Sequence, residues 1–259
     1  MKITSLLENT TTYDNIKVEH GLSLYIETEQ HKILFDMGQT DLFYQNALTL
    51  GIDLTKVDIA ILSHGHYDHG GGLAKFLDVN THAPVYIHKD AFLPHYNGTE
   101  KYIGLDTSLK DNPRIIFTDD EYRIDKNLSL YSCNNMNRKY DMLPSGLNEK
   151  IGEDFIPDDF RHEQYLLIEE KGKRILISGC SHKGILDITN WFSPDILVGG
   201  FHYSKLPLDI YLIKASKQLA SYPTEFYTCH CTGEEQYKFM SKYIPALRYF
   251  SCGQTITVY

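Results

Sequence analysis

No apolar run in this 259-residue chain approaches the ~18 residues that a helix needs to cross a bilayer, so no membrane partner is expected. Dense basic clusters are missing too. Against 34 acidic residues stand 25 Lys and Arg, a formal net charge of −9, and no stretch could neutralise a phosphate backbone. Nucleic acid is therefore not an expected partner. A small anionic substrate stays compatible with that charge, because a bound cation reverses the local field. Met1-Lys2-Ile3-Thr4 lacks the basic flank, apolar core and cleavage site of a secretory signal. Cysteine is scarce, with five in the chain, an odd number that suits no disulfide framework. Cys180, Cys229 and Cys231 stand near histidines, a usage that fits a reducing compartment, and the cytoplasm is the expected location.

A chain of this length can bury a full core without disulfide staples, and α/β folds of such size often form one unit. A single domain over 1–259 is expected. Residues 22–28 roughly alternate, and 32–36 form a short apolar run into Asp36-Met37-Gly38, with Gln30-His31 placed for a hairpin between them. A helix fits 40–50, with Leu42, Phe43, Ala47 and Leu50 near helical spacing and Gly51 beyond its end. Residues 57–62 read as a buried strand running into Ser63-His64-Gly65-His66, and another helix is expected from about Gly71. From about 89 to 160 the chain is more polar and reads as an irregular insertion, with short strands fitting 114–117 and 128–132. Such a segment suits a binding loop or lid.

Beyond it, 164–169 and 173–178 suggest a hairpin turning at Lys171-Gly172. Strands ending near 178, 199 and 228 each run into a histidine-bearing loop and then a helix, at about 183–192, 207–220 and 233–243. Strands near 247–250 and 254–258 follow. Two rounds of hairpins and strand–helix units predict a layered α/β fold.

The densest chemistry is His64-Gly65-His66-Tyr67-Asp68-His69-Gly70. Three imidazoles and a carboxylate follow a buried strand directly, and both donor types suit Zn and similar divalent ions. Gly65 would allow a tight turn between ligands. Gly70-Gly71-Gly72 would let the next helix start close to the metals, so that its amides could meet an anion. These glycines match neither a dinucleotide fingerprint nor a P-loop.

The HxHxDH pattern resembles the signature of the metallo-β-lactamase superfamily, and Phe35-Asp36-Met37-Gly38 is similar to that family's strand-Asp-x-Gly element. The resemblance implies a four-layer αββα sandwich and two divalent ions sharing an activated water. Zn is the first expectation, with Mn or Fe as alternatives. His64 and His66 would begin the first site, Asp68 and His69 the second, and Asp36 would orient a ligand ring. His230 matches the family's last histidine and is assigned to the second metal. Either His182 or His162 completes the first site, with His182 favoured because it belongs to Gly179-Cys180-Ser181-His182. That segment, Gly199-Gly200-Phe201-His202 and Cys229-His230-Cys231-Thr232-Gly233 resemble the subgroup labelled 7,8-dihydropterin-6-methyl-4-(β-D-ribofuranosyl)aminobenzene-5′-phosphate synthase-like.

Cys180 stands where most of these enzymes place a bridging Asp, and both a thiolate ligand and a buried thiol beside the ligands remain open. His202 is a candidate substrate-binding group or general acid, against a hydrogen-bonded core histidine. His20, His31, His82, His88 and His95 have no comparable company and are expected at the surface or in packing. The resulting reading is a metal-dependent hydrolase acting on a small, anionic ester-type substrate. In it Asp68 and His202 handle protons, and Arg138 or Lys183 could contact phosphate. A ribofuranosyl-aminobenzene-phosphate synthase-like transferase is the first alternative, and a non-catalytic metal-binding or redox-sensing protein the second.

Overall fold

The computed structural model describes all 259 residues. In chain order it opens with β1 (Lys2–Leu7), β2 (Ser23–Glu27), β3 (Lys32–Phe35), α1 (Leu42–Thr49), β4 (Ile59–Ile61), α2 (Tyr67–Gly70), α3 (Leu73–Val79) and β5 (Val85–His88). The middle holds β6 (His95–Asn97), β7 (Lys101–Tyr102), β8 (Ile115–Thr118), β9 (Glu121–Arg123), β10 (Leu128–Tyr131), β11 (Leu147–Ile151) and β12 (Asp154–Pro157). There follow β13 (Tyr165–Glu170), β14 (Lys173–Ile177), α4 (Ile185–Phe192), β15 (Ile196–Gly199), α5 (Ile210–Leu219) and β16 (Glu225–Thr228). The remaining elements are α6 (Glu234–Met240), β17 (Leu247–Tyr249) and β18 (Thr255–Thr257). No helix is long and apolar enough to cross a membrane.

The chain forms two compact units. Unit 1 takes Met1–Asp119, Ser145–Glu163 and Ser251–Tyr259. Its main sheet has the order β18-β1-β2-β3-β4-β5-β8. Pairing is antiparallel from β18 to β3 and parallel from β3 to β8. Parallel neighbours need a crossover, and α1 and α3 supply the first two. Phe43, Ala47, Leu73 and Phe76 of these helices are buried with Leu34, Ala60, Val85 and Ile87 of the strands. The all-apolar β4, Ile59-Ala60-Ile61, is buried throughout, as a strand covered on both faces must be.

Unit 1 also holds a four-stranded antiparallel sheet ordered β12-β11-β6-β7. The stretch read as irregular therefore carries more strand than its pattern suggests. Those strands are short and do not alternate cleanly, and β6 finds its partner across the chain, at Glu149↔His95. Local periodicity cannot reveal such a pair.

Unit 2 takes Asp120–Pro144 and Gln164–Phe250. Its sheet runs β17-β16-β15-β14-β13-β10-β9, parallel from β17 to β14 and antiparallel onward. The β13–β14 hairpin turns at Lys171 and Gly172, both at positive φ, 51° and 72°, as a two-residue turn of this hand requires. Helices α4, α5 and α6 bury Ile188, Leu212, Leu219 and Met240 against Leu176, Leu197 and Phe226. In both units the chemistry-bearing residues follow the carboxyl ends of parallel strands, where α/β sheets present their loops. Asp36 follows β3 and His64 follows β4, while Cys180, His202 and His230 come after β14, β15 and β16.

Candidate metal centre

In unit 1, parallel pairing sets Phe35 opposite Ile61, so Asp36 and Ser63 leave neighbouring strands side by side. Asp36 is fully buried, at φ 60°, a left-handed conformation that costs a non-glycine residue ~1–3 kcal/mol. Its Oδ1 accepts the Ser63 N–H at 2.7 Å, and its Oδ2 accepts the Ser63 hydroxyl at 2.8 Å. His69 Nδ1 lies 2.6 Å from the same Oδ2. An ionised carboxylate only accepts, so His69 carries its proton on Nδ1. The Ser63 hydroxyl already donates its hydrogen to Asp36, so in the 2.8 Å contact between Ser63 Oγ and His64 Nδ1 the ring N–H is the donor. Both imidazoles thus keep the Nε2 lone pair for a metal. Their centroids stand 4.2 Å apart, and His64 and His66 stand 4.6 Å apart. The donor set fits a divalent cation, with the carboxylate–histidine backing that orients metal-bound rings.

Asp68 and His69 sit on α2, a single helical turn instead of an open loop. Asp68 Oδ2 lies 3.8 Å from His69 Nε2 and 3.2 Å from His20 Nε2, so His20 has a partner that its sequence context did not suggest. Burial first, then His162 and His95, drive the His66 pKa well below its usual value against the opposing pull of Asp68 and Asp158. The ring is neutral, as a ligand must be. Gly65 is not a sharp-turn glycine. A Cβ there would lie 2.1 Å from the Ala91 carbonyl oxygen, so the backbone approach is what demands glycine. Gly72 is similar, with Met37 O at 2.2 Å. The triple glycine therefore serves packing, and the seven-residue α3 offers no separate anion site.

Three further residues of unit 1 enter the group. His95 is wholly buried, and its Nδ1 is 2.9 Å from Asp158 Oδ2. His162 Nε2 contacts the same oxygen at 3.2 Å, and its Nδ1 accepts the Gly65 N–H at 2.9 Å. Burial raises the Asp158 pKa, but the bonds from His162 and His95 outweigh it and hold the carboxyl well below the usual carboxylate range. One donor atom each from His66, His95, Asp158 and His162 lie within 4.8 Å of one another. His95 is thus a buried, hydrogen-bonded residue in histidine-rich company that its sequence neighbourhood did not suggest. Nothing local flagged it, because Asp158 is 63 positions away.

Unit 2 gathers the other predicted residues at its strand ends. Ser181, His202 and His230 all have positive φ, 58°, 53° and 48°. The His182 and His202 rings meet at 4.3 Å between centroids with their planes tilted by 55°, and they line a cavity with Tyr140, Asp187, Tyr203 and Tyr211. Burial, foremost, and Tyr211 push the Tyr203 hydroxyl well above its usual pKa, so it stays a proton donor. One donor atom each of Cys180, His230 and Cys231 lie within 4.8 Å of one another, all buried. Cys231 Sγ accepts the His202 N–H at 3.3 Å and lies 3.5 Å from Cys180 O, so this thiol fixes the His202 backbone.

The two cations proposed for phosphate each have protein partners in unit 2. Lys183 is 2% exposed and donates to Ser132 O at 2.6 Å. Arg138 donates to the Lys183 carbonyl and lies 3.6 Å from Asp187.

A profile of the metallo-β-lactamase superfamily matches residues 16–205. An uncharacterised protein of Methanocaldococcus jannaschii is 31% identical over 242 residues, 88% of this chain and 90% of its own length. The 7,8-dihydropterin-6-methyl-4-(β-D-ribofuranosyl)-aminobenzene-5′-phosphate synthase of the same organism is 26% identical over 284 residues, 99% of this chain and 96% of its own. Among solved structures, Tm1679, a metal-dependent hydrolase of the β-lactamase superfamily, matches with a TM-score of 0.84 at 30% identity. That match covers 100% of this chain and 99% of the other.

Proposed function

Because the chain belongs to the metallo-β-lactamase superfamily and has its mixed α/β sandwich fold, we propose that it is a metal-dependent hydrolase of small anionic esters. The observation that carries this reading is the Asp36–Ser63 network, which leaves the Nε2 atoms of His64 and His69 as metal donors. In this reading residues 1–259 work as one catalytic domain, and the protein is cytoplasmic. His64, His66, Asp68, His69, His182 and His230 are the proposed ligands of two ions, with Zn preferred. Bound divalent ions supply a nucleophilic water at neutral pH and polarise the substrate oxygen. Asp68, within reach of His20, would accept a proton, and His202 would donate one to the leaving group.

Elemental analysis of protein purified without chelator should find close to two ions per chain. A panel of phosphodiesters, lactones and thioesters should then show turnover lost with chelator and regained with Zn or Mn. Protein that takes up no Zn, Mn or Fe would end this reading.

A second reading is synthase-like transfer, favoured by the similarity to the aminobenzene-phosphate synthase over nearly both whole chains. It predicts that the amine nitrogen of a ribofuranosyl-aminobenzene phosphate attacks the 6-methyl carbon of an activated dihydropterin. A C–N bond forms as the activating group leaves that carbon and the amine loses a proton. The same preparation incubated with such a pair decides between the two.

A further inference from the structure

His66, His95, Asp158 and His162 are close enough to suggest a separate metal site, but their hydrogen bonds argue for another use. The Gly65 N–H donates to His162 Nδ1, so the His162 proton is on Nε2 and points to Asp158. Both nitrogens of that ring are committed within this network. Asp158 is also fully engaged. Its Oδ1 accepts the Phe160 N–H at 2.7 Å, and its Oδ2 takes His162 and His95. Facing a carboxylate through Nδ1, His95 must carry its proton there. That leaves a lone pair on Nε2, a buried atom with no hydrogen-bond partner. A buried acceptor left unused costs ~1–3 kcal/mol.

A neighbour can fill it. A ring that gives one nitrogen to a metal bears its proton on the other, and that N–H needs an acceptor. His66 meets His95 edge-on, with centroids 5.6 Å apart and planes at 77°. The two rings do not bond as they stand, since neither His66 Nε2 nor His95 Nε2 has a hydrogen-bond partner. An N–H···N bond of ~3 Å would bring the centroids to a little over ~5 Å, which is a small approach from the observed spacing. We propose that Asp158 and His95 form a relay that takes the outer N–H of His66, making His95 a positioning residue for the first metal. This rests on the proposed ligand role of His66. Asp158 fixes the His95 tautomer, His95 fixes the His66 ring, and His162 ties the same carboxylate to the Gly65 backbone.

The test uses Zn-loaded, 15N-histidine-labelled full-length protein. The expected spectrum shows His95 protonated on Nδ1 and a downfield His66 ring proton coupled across the hydrogen bond to His95 Nε2. In His95→Phe that proton should move upfield and Zn affinity fall ~10–100-fold, while His95→Gln, whose carbonyl can still accept, should regain most of both. A His66 ring proton indifferent to His95, or a His95 Nε2 bonded to Zn itself, would overturn the relay while leaving the metal reading intact. Wild-type protein that binds no Zn would instead sink both. The wild-type spectrum needs no variant, so a His95→Phe chain that fails to fold does not protect the proposal.

Discussion

At Asp36 one carboxylate receives a backbone amide, a hydroxyl and an imidazole, all buried. Replacing it with alanine leaves Ser63 and His69 without their acceptor and frees the His69 ring. Metal affinity of Asp36→Ala is expected to fall ~10–100-fold, read by competition with a chromophoric chelator. An affinity within error of wild type would show that the ring is held by packing alone. The His162 and His182 substitutions separate two roles. His162 has its Nδ1 occupied by Gly65, so His162→Ala should keep its full metal count with weakened affinity, whereas His182→Ala should lose an ion. If His162→Ala comes out empty and His182→Ala stays loaded, the ligand assignment reverses. The candidate donors of 64–69 were legible because they fall within six residues, and Asp36 because it follows a recognisable strand. His95 and Asp158 were not, since their meeting depends on strands that carry no period of their own.

At the scale of elements, two glycines separate space from backbone conformation. Gly65 has an ordinary φ but faces the Ala91 carbonyl, whereas Gly172 has φ +72° and nothing within 4 Å of a Cβ. Gly65→Ala should push the metal loop from the Ala91 segment, costing ~1–3 kcal/mol as overpacking does and lowering metal content. Gly172→Ala should cost only ~1 kcal/mol, through its left-handed backbone, and leave metal content unchanged. Urea denaturation with metal analysis of both variants checks this. Equal metal contents would mean that the loop absorbs the intruding carbon. The β13–β14 hairpin was readable because Lys171-Gly172 interrupts two apolar runs. The sheet of β6, β7, β11 and β12 has turn glycines of its own, Gly98 and Gly152, both at positive φ. Its strands are too short to show a period, however, the longest, β11, having five residues.

For the whole molecule, stability against alkali depends on a buried thiol away from the proposed ligands. Burial foremost, with the Glu8 carboxylate adding to it, pushes the Cys252 thiol up to about 12. The unfolded chain releases this proton near ~8.5, so above that pH unfolding liberates a proton that the folded state retains. The stabilisation is complete below ~8.5 and declines by about 1.4 kcal/mol per pH unit until the folded thiol ionises. Urea midpoints at about pH 8 and about pH 10 should differ less in Cys252→Ala than in wild type. Equal differences would place the alkaline loss on other groups, such as the buried Tyr25, whose pKa is also raised by burial.

The same segment sets a schedule for biosynthesis. Strand β18 pairs with β1 through Ile3↔Ile256 and Thr4↔Thr255, yet it emerges from the ribosome only after all of unit 2 has been made. Until then the nascent sheet of unit 1 keeps an open edge at β1, and open edges recruit foreign strands. Translating the region between them more slowly lengthens that exposure. Overexpression losses should therefore begin with ribosome-bound chains stopped short of residue 255, and a chaperone that shields β1 would raise the yield more than one that assists the finished protein.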